Sequence, residues 1–393
     1  SALPSHGRGH WFDPSIAHRK SGKFPRSPVS ASPQQATAPR SVRFYGARPK
    51  SGFTHSVLEA TRRLLRHTNS KTLGAFSRHL YTQAALRKGK HLREPIRALV
   101  SLCQPRDPLR RSRNLAPIDL VVPFVEKDLR SLELVIEHVV KNVRNPIEHV
   151  ILITPRNREG TGPRFVRDES TEILNSILAR RPLVEIRFDQ DVLGTEILQE
   201  LEERFGRGDR NAGWVTQQLI KFSAAVASTA RASLILDADT LLLSPKTWLT
   251  SEGKQLLQVA IEYHKDFMTH DFHYFQVPKK LKLSFVTHHQ LMQTDVVREM
   301  FPHGARSLLD WWKSSTDSIG RDLGDYEAYG AFLAHHHPDR VAFGSFANLF
   351  SPHLTWFLED LAASGFSTRA LIPGYCSVSF HSWAQVDRAV RGD

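Results

Sequence analysis

Between Leu234 and Leu243 the chain reads LILDADTLLL. Aliphatic residues run into Asp237 and Asp239, one small residue separates the two carboxylates, and the chain then turns apolar again. Charges at the end of a buried strand need a partner. Two hard carboxylate groups this close suit a divalent cation, Mn²⁺ or Mg²⁺, whose remaining positions phosphate oxygens can fill. The expected substrate is then a nucleotide or a diphosphate. The bland alternative is a pair of carboxylates serving a turn or a helix cap.

Other residues could act beside them. Gln217, Gln218 and Lys221 fall within one turn of a predicted helix whose buried side carries Leu219, Phe222 and Val226. An ammonium with two amides can bind pyrophosphate or sugar hydroxyls, although the same pattern also describes an ordinary solvated face. In FVTHHQLM, residues 285–292, His288 and His289 are adjacent and point to opposite sides of a strand, so at most one faces a site. GDYEAYG, residues 324–330, offers Asp325 and Glu327 as general bases and Tyr326 and Tyr329 as rings that stack on a sugar. Acidic residues there also suit a plain helix N-terminus. In SVSFHSW, residues 377–383, His381 is a neutral imidazole able to complete a carboxylate-bound Mn²⁺ site. His270, His273 and the triplet His335 to His337 have poor spacing for a metal.

These residues need a frame. Ile118 to Phe124 is a continuous apolar run, as expected of a buried parallel strand, and Leu132, Val135, Ile136, Val139, Val140 and Val143 then mark one helix face. His149 to Thr154 gives a second strand, Glu172 to Ala179 a helix, and Leu183 to Phe188 a third strand ending at Asp189 and Asp191. A helix over Gly213 to Ala230 leads into the aspartate strand. Alternation of this kind predicts an α/β fold with a mainly parallel sheet flanked by helices, and places the aspartates at a carboxyl strand end, where such sheets bind ligands. Ser251 to Asp393 mixes short strands and helices and is expected to form the acceptor side.

Charge divides the chain at a Pro- and Arg-rich linker, Gln104 to Pro117. Residues 1–116 hold 23 Lys or Arg against 4 Asp or Glu, whereas residues 117–393 hold 30 against 36, so the overall +13 belongs to a basic extension on an acidic body. Two regions follow: 1–116, disordered to about residue 50 and then forming short amphipathic helices, and 117–393, the catalytic domain. The basic stretch can fold back on the body or lie on an anionic membrane surface, and a nucleic-acid partner is not expected. Its Arg- and Ser-rich opening also resembles an organelle transit peptide. No apolar run approaches the roughly 18–20 residues of a transmembrane helix. Cys103 and Cys376 are too few for a disulfide framework or a cysteine metal site, which suits a reducing, cytoplasmic location, peripheral at the inner membrane surface if the extension docks there.

Two resemblances bear on this. Phosphatases of the haloacid dehalogenase type also place D-x-D after a strand, with Thr or Val four residues beyond the first Asp; that position is Leu241 here, and Thr240 falls one residue early. The better resemblance, over about Ile118 to Trp383, is to nucleotide-sugar glycosyltransferases of the GT-A type. QQLIKF, DADTLLL, FVTHHQ and DYEAYG, in that order, resemble an uncharacterised bacterial family related to those enzymes. The resemblance implies that Asp237 and Asp239 hold Mn²⁺ or Mg²⁺ with His381, that Pro123, Asp189 and Asp191 meet the nucleoside, and that Gln217, Gln218 and His288 contact substrate. Asp325 stands where that family tends to show Glu, so the base is Asp325 or Glu327. The expected reaction moves a sugar from a nucleoside diphosphate sugar to an acceptor hydroxyl, with the metal and Lys221 neutralising the departing diphosphate. The alternatives are a metal-dependent nucleotidyltransferase and a non-catalytic basic adaptor with a degenerate domain.

Overall fold

A computed structural model describes residues 105–393 apart from 158, 182, 207–208, 261, 279–283, 318–319, 321, 352–374 and 381–393. The expected amphipathic helices before residue 105, the basic extension's membrane contact and His381 lie outside the described residues.

A five-stranded sheet organises the fold, in the order β3-β2-β1-β4-β7. Its strands are β1 (Ile118–Pro123), β2 (Ile147–Thr154), β3 (Val184–Phe188), β4 (Ala232–Leu236) and β7 (His289–Gln293). The first four run parallel, and β7 pairs antiparallel to β4 with Leu236 opposite His289. Helices cover both faces, so β1 is buried along its whole length. Val121 points into one core and Leu120 and Val122 into the other. This double burial is why these strands read as unbroken aliphatic runs rather than alternating ones. The fold is the mixed α/β architecture expected, with a mostly parallel central sheet between helices.

Helix α1 (Leu129–Asn142) packs Leu132, Val135, Ile136 and Val139 against one face, joined by α2 (Asp168–Arg180). On the other face lie α3 (Asp189–Leu193), α4 (Thr195–Phe205) and α5 (Arg210–Ala227). Asp209 caps α5 by accepting from the Asn211 N–H at 2.7 Å. Residues 215 to 225 of α5 are all buried, so the predicted Gln/Lys face is interior rather than solvated. A helix buried all round loses the polar stripe that marks a surface helix.

Beyond β4 the chain makes β5 (Thr240–Leu242), which pairs with β10 (Ser377–Phe380) in a small sheet completed by β9 (Asn348–Ser351). A separate parallel pair is β6 (Gln255–Val259) with β8 (Val341–Ser345). Four further helices, α6 (Lys265–Phe275), α7 (Thr294–Met300), α8 (Ala305–Lys313) and α9 (Asp325–His336), complete the described elements. On α9, Tyr329 is a core residue rather than a stacking platform: its hydroxyl donates to Gln255 Oε1 and accepts from the Gln293 N–H, both at 2.8 Å. At the next residue, a Cβ on Gly330 would lie 2.5 Å from the Cβ of Phe285. Gly330→Ala is therefore expected to destabilise by about 1–3 kcal/mol, although helix propensity alone favours Ala by about 1 kcal/mol. Urea denaturation measures the sign.

The segment before β1 behaves differently from a linker. The Ser345 N–H donates to Pro105 O at 3.1 Å, and Lys246 Nζ donates to Arg106 O at 2.8 Å. The Thr247 N–H donates to Asp107 Oδ2 at 3.2 Å, and Leu109 is buried in the α1-side core. Prolines and arginines suggest an extended tether, but here backbone carbonyls, the Asp107 carboxylate and Leu109 fasten the segment to the body.

Candidate active site

In the main sheet the chain steps from β1 to β2 on one side and later to β4 on the other. The carboxyl ends of β1 and β4 flank this change of direction, where open α/β sheets leave a crevice for ligands. Pro123 ends β1, and Asp237 and Asp239 lie in the tight turn after β4, closed by the Thr240 N–H donating to Asp237 O at 3.0 Å. The Asp237 N–H donates to His288 O at 3.0 Å, so the antiparallel pairing of β7 continues one residue into the turn.

Asp237 is the hub. Its Oδ1 accepts from Lys221 Nζ at 2.8 Å and from the Tyr326 hydroxyl at 3.0 Å. Its Oδ2 faces His288 Nδ1 at 3.3 Å. Lys221, only 2% exposed, also meets Asp325 Oδ2 at 2.8 Å and sits 4.1 Å from the centroid of the Tyr326 ring. One ammonium thus serves two carboxylates and the π face of a phenol, a geometry that favours the charged lysine. His288 turns to Asp237, while His289 on the other side of the strand packs edge-on against Trp248. The two adjacent histidines thus have different partners, as the alternation of side chains along a strand predicts.

Burial and neighbours set the protonation. Burial works to raise the Asp237 carboxyl, but Lys221 and His288 outweigh it and hold it well below the usual range. Burial opposes the charge on Lys221, and Asp237 and Asp325 more than restore it. Asp325 goes the other way, since burial raises its carboxyl more than Lys221 lowers it. His288 is raised because Asp237 overcomes the effect of burial. Burial and the nearby Asp237 and Asp325 push the Tyr326 phenol far up, so it remains a donor.

The remaining sequence candidates separate by position. Asp325 and Glu327 are two residues apart on α9 and so leave the helix on different sides. Glu327 is fully buried and accepts from the Phe285 N–H at 2.8 Å and from Ser284 Oγ at 3.3 Å. Gln218 Oε1 accepts from the Asp325 N–H at 2.9 Å, satisfying a donor in the first turn of α9, and Gln217 is also buried. Asp189 and Asp191 open α3 instead of ending β3, and Asp189 Oδ1 accepts from the Arg156 and Gln190 N–H groups at 3.1 and 2.9 Å. Burial raises the Asp189 carboxyl. Asp191 pairs with the Arg156 guanidinium, which lies 4.4 Å from the Phe188 ring centroid.

Two residues escaped the sequence reading. Arg156 directly follows the β2 strand and Pro155, and only its position at a carboxyl strand end could have marked it. Asp128 is the second. It follows β1 in the short 3₁₀ turn Glu126–Asp128, and its Oδ2 accepts from the Val125 N–H at 3.1 Å. Burial raises the Asp128 carboxyl to about 6, with Asp239 and Asp237 adding to the rise and Lys127 partly offsetting it. Burial is the larger cause, and the carboxylates of Asp239 and Asp237 add to it. Asp128, after β1, and Asp239, after β4, carry the hard oxygen donors that a cation such as Mn²⁺ or Mg²⁺ takes. Asp237 is less free than its place in the motif suggests, because Oδ1 already holds two donors.

Linkage gives this a test. Folded Asp128 binds a proton at about 6, above its unfolded value, so its contribution to stability is fully present below the unfolded value and is lost as pH rises through about 6. The wild type is expected to gain stability relative to Asp128→Asn as pH falls from 7 to about 4, measured by urea denaturation without added metal. Added Mn²⁺ should shrink the difference.

No protein-family model and no curated protein matches this chain. Among solved structures it is similar to mouse xyloside xylosyltransferase 1, at 10% identity and TM-score 0.38 over 68% of this chain and 98% of that one. It is also similar to the galactosyltransferase LgtC in complex with donor and acceptor sugar analogs, at 10% identity and TM-score 0.37 over 70% and 95% of the two chains. The mannosyltransferase Ktr4p from S. cerevisiae matches at 10% identity and TM-score 0.40 over 73% of this chain and 84% of its own.

Proposed function

We propose that the protein is a metal-dependent glycosyltransferase that moves a sugar from a nucleoside diphosphate sugar to an acceptor hydroxyl. The observation that carries this reading is the turn after β4, where Asp237 meets the buried Lys221 and Asp239 follows two residues on, at the crevice between β1 and β4. Asp239 and Asp128 would hold Mn²⁺ or Mg²⁺, with Asp237 contributing through Oδ2 and His381 remaining the candidate imidazole. When bound, the cation screens the charge of the departing diphosphate.

The chain's own residues do the rest. Arg156 over Phe188, with Asp189, Asp191 and Pro123, frames the position for the nucleoside at the ends of β1 to β3. Lys221 fixes Asp237 and Asp325 and supplies positive potential from inside the site, while His288 orients Asp237 Oδ2. In an inverting reaction, the acceptor oxygen bonds to the anomeric carbon as the diphosphate leaves with the bonding pair. Asp325, whose raised carboxyl suits a base, then takes the hydroxyl proton. Glu327 holds the 284–285 backbone and takes no part in the proton transfer.

Calorimetric titration of the full chain with nucleoside diphosphates and triphosphates, with and without MnCl₂, tests the reading. One diphosphate should bind only with Mn²⁺ and lose at least tenfold in affinity in Asp239→Ala. Selective binding of a triphosphate would favour a nucleotidyltransferase, and no binding to a folded chain would sink both.

A further inference from the structure

The opposite edge of the sheet carries its own cluster of ligating side chains. Asp119 is the second residue of β1, and Glu148 and His149 follow Ile147 at the start of β2, which pairs with Ile118. One ligand atom from each of Asp119, Glu148 and His149 lies within 4.8 Å of the other two. These are amino-terminal strand ends, whereas the candidate active site follows the carboxyl end of β4.

Asp119 is 1% exposed yet carries a carboxylate, and its two oxygens are held differently. Ser228 Oγ donates to Oδ2 at 2.7 Å, anchoring the group from behind. Oδ1 faces His149 Nδ1 at 2.9 Å and points toward the surface, where the His149 side chain is 48% exposed. The arrangement is a fixed inner oxygen with an outer imidazole and an outer carboxylate, and the hydroxyl behind the inner ligand orients it as outer partners do at metal centres. The charges acting on His149 come from Asp119, Glu185 and Glu148, all carboxylates.

We propose that Asp119, Glu148 and His149 form a second, peripheral metal site that takes a borderline divalent ion of the Zn²⁺ class. One nitrogen and two oxygens suit such an ion, with water in the fourth position. Bonds of about 2.0–2.1 Å in tetrahedral geometry need ligand atoms about 3.3 Å apart. The β1–β2 register shifts between Ile118 and Leu120, so Asp119 opposes both Glu148 and His149, and rotation of these exposed side chains toward a stationary Asp119 closes the gap. The ion replaces the hydrogen bond between His149 and Asp119, and any proton on Nδ1 goes to solvent. It ties β1 to β2 and, through Ser228, to the turn before β4. The site is independent of the proposed reaction.

Calorimetric titration of the chelator-treated full chain with ZnCl₂, in the wild type and in an Asp239→Ala background, tests this. One equivalent should bind in the Asp239→Ala background, weakened at least tenfold by either His149→Ala or Glu148→Gln, surface changes that leave Asp119 in place. Zn²⁺ should raise the melting temperature of the wild type and not of His149→Ala. No stoichiometric binding, or binding that persists in both variants, overturns the assignment.

Discussion

Lys221→Met is expected to lower stability by about 3–5 kcal/mol, the usual cost of leaving buried charge uncompensated, and to abolish nucleotide turnover. The substitution fills much of the same volume but strands Asp237 and Asp325 opposite each other with no ammonium between them. It also removes the cation from the Tyr326 ring. Asp325→Asn added to Lys221→Met should restore a measurable part of the stability without restoring turnover, because one of the stranded charges is gone. Lys221→Arg should not rescue, since a planar guanidinium is larger than the space left for a 2%-exposed lysine. Urea denaturation of the three variants separates the electrostatic account from simple loss of packing, which would leave the double variant no better than Lys221→Met.

The pH behaviour follows the same signs. Lys221, raised in the fold, contributes stability that is present below its unfolded value and lost as pH rises through its folded one. Asp237, lowered in the fold, contributes stability that is present above its unfolded value and lost as pH falls through the folded one. The pair is therefore level across the neutral range, where Asp128 and His288, both raised in the fold, contribute stability that is lost as pH rises.

A chain beginning at Pro117 is expected to be roughly 3–6 kcal/mol less stable than one beginning at Gln104, combining a lost core leucine with unsatisfied buried polar groups. Removing residues 105 to 116 takes away Leu109, the carbonyl that accepts from Lys246, and the carboxylate that accepts from Thr247. Lys246 is 1% exposed, and burial already lowers its ammonium, so the carbonyl matters more than it would at the surface. Lys246→Met should recover part of the loss in the shorter chain. Equal stability of the two chains by urea denaturation would show that the docked segment contributes nothing.

The sequence made the sheet readable for a reason that also hid the helix behind it. Strands β1 and β4 are buried on both faces, so Ile118 to Phe124 and Leu234 to Leu236 stand out as aliphatic runs. Helix α5 is buried on all sides too, but a helix is read by its polar stripe, and the stripe carrying Gln217, Gln218 and Lys221 points inward. The sequence placed Lys221 near the aspartates and could not show that two carboxylates would enclose it. That Asp325 meets Lys221 while Glu327 meets Ser284 depends on partners far away along the chain. Asp128 and Arg156 stand outside any motif; they matter because parallel strands bring the residues after β1 and β2 to one edge. The docked segment 105–117 was misleading because its contacts are mostly through backbone, which composition does not report.

The links within the active-site cluster also differ in chain distance, and this gives the site a chronology. Lys221 meets Asp237 across 16 residues, within a single helix-to-strand step. Tyr326 reaches Asp237 across 89, and Asp325 reaches Gln218 across 107. Short separations close early and long ones late. A growing chain can therefore make a neutral Lys221–Asp237 pair as soon as β4 pairs with β1, and that pair protects the half-formed core from a lone charge. Only when α9 arrives does Asp325 meet the same ammonium, with Gln218 accepting from its N–H. The enclosure of Lys221 by a second carboxylate is thus the last part of the cluster to close, after the residues that follow β1 and β4 have already come to one end of the sheet.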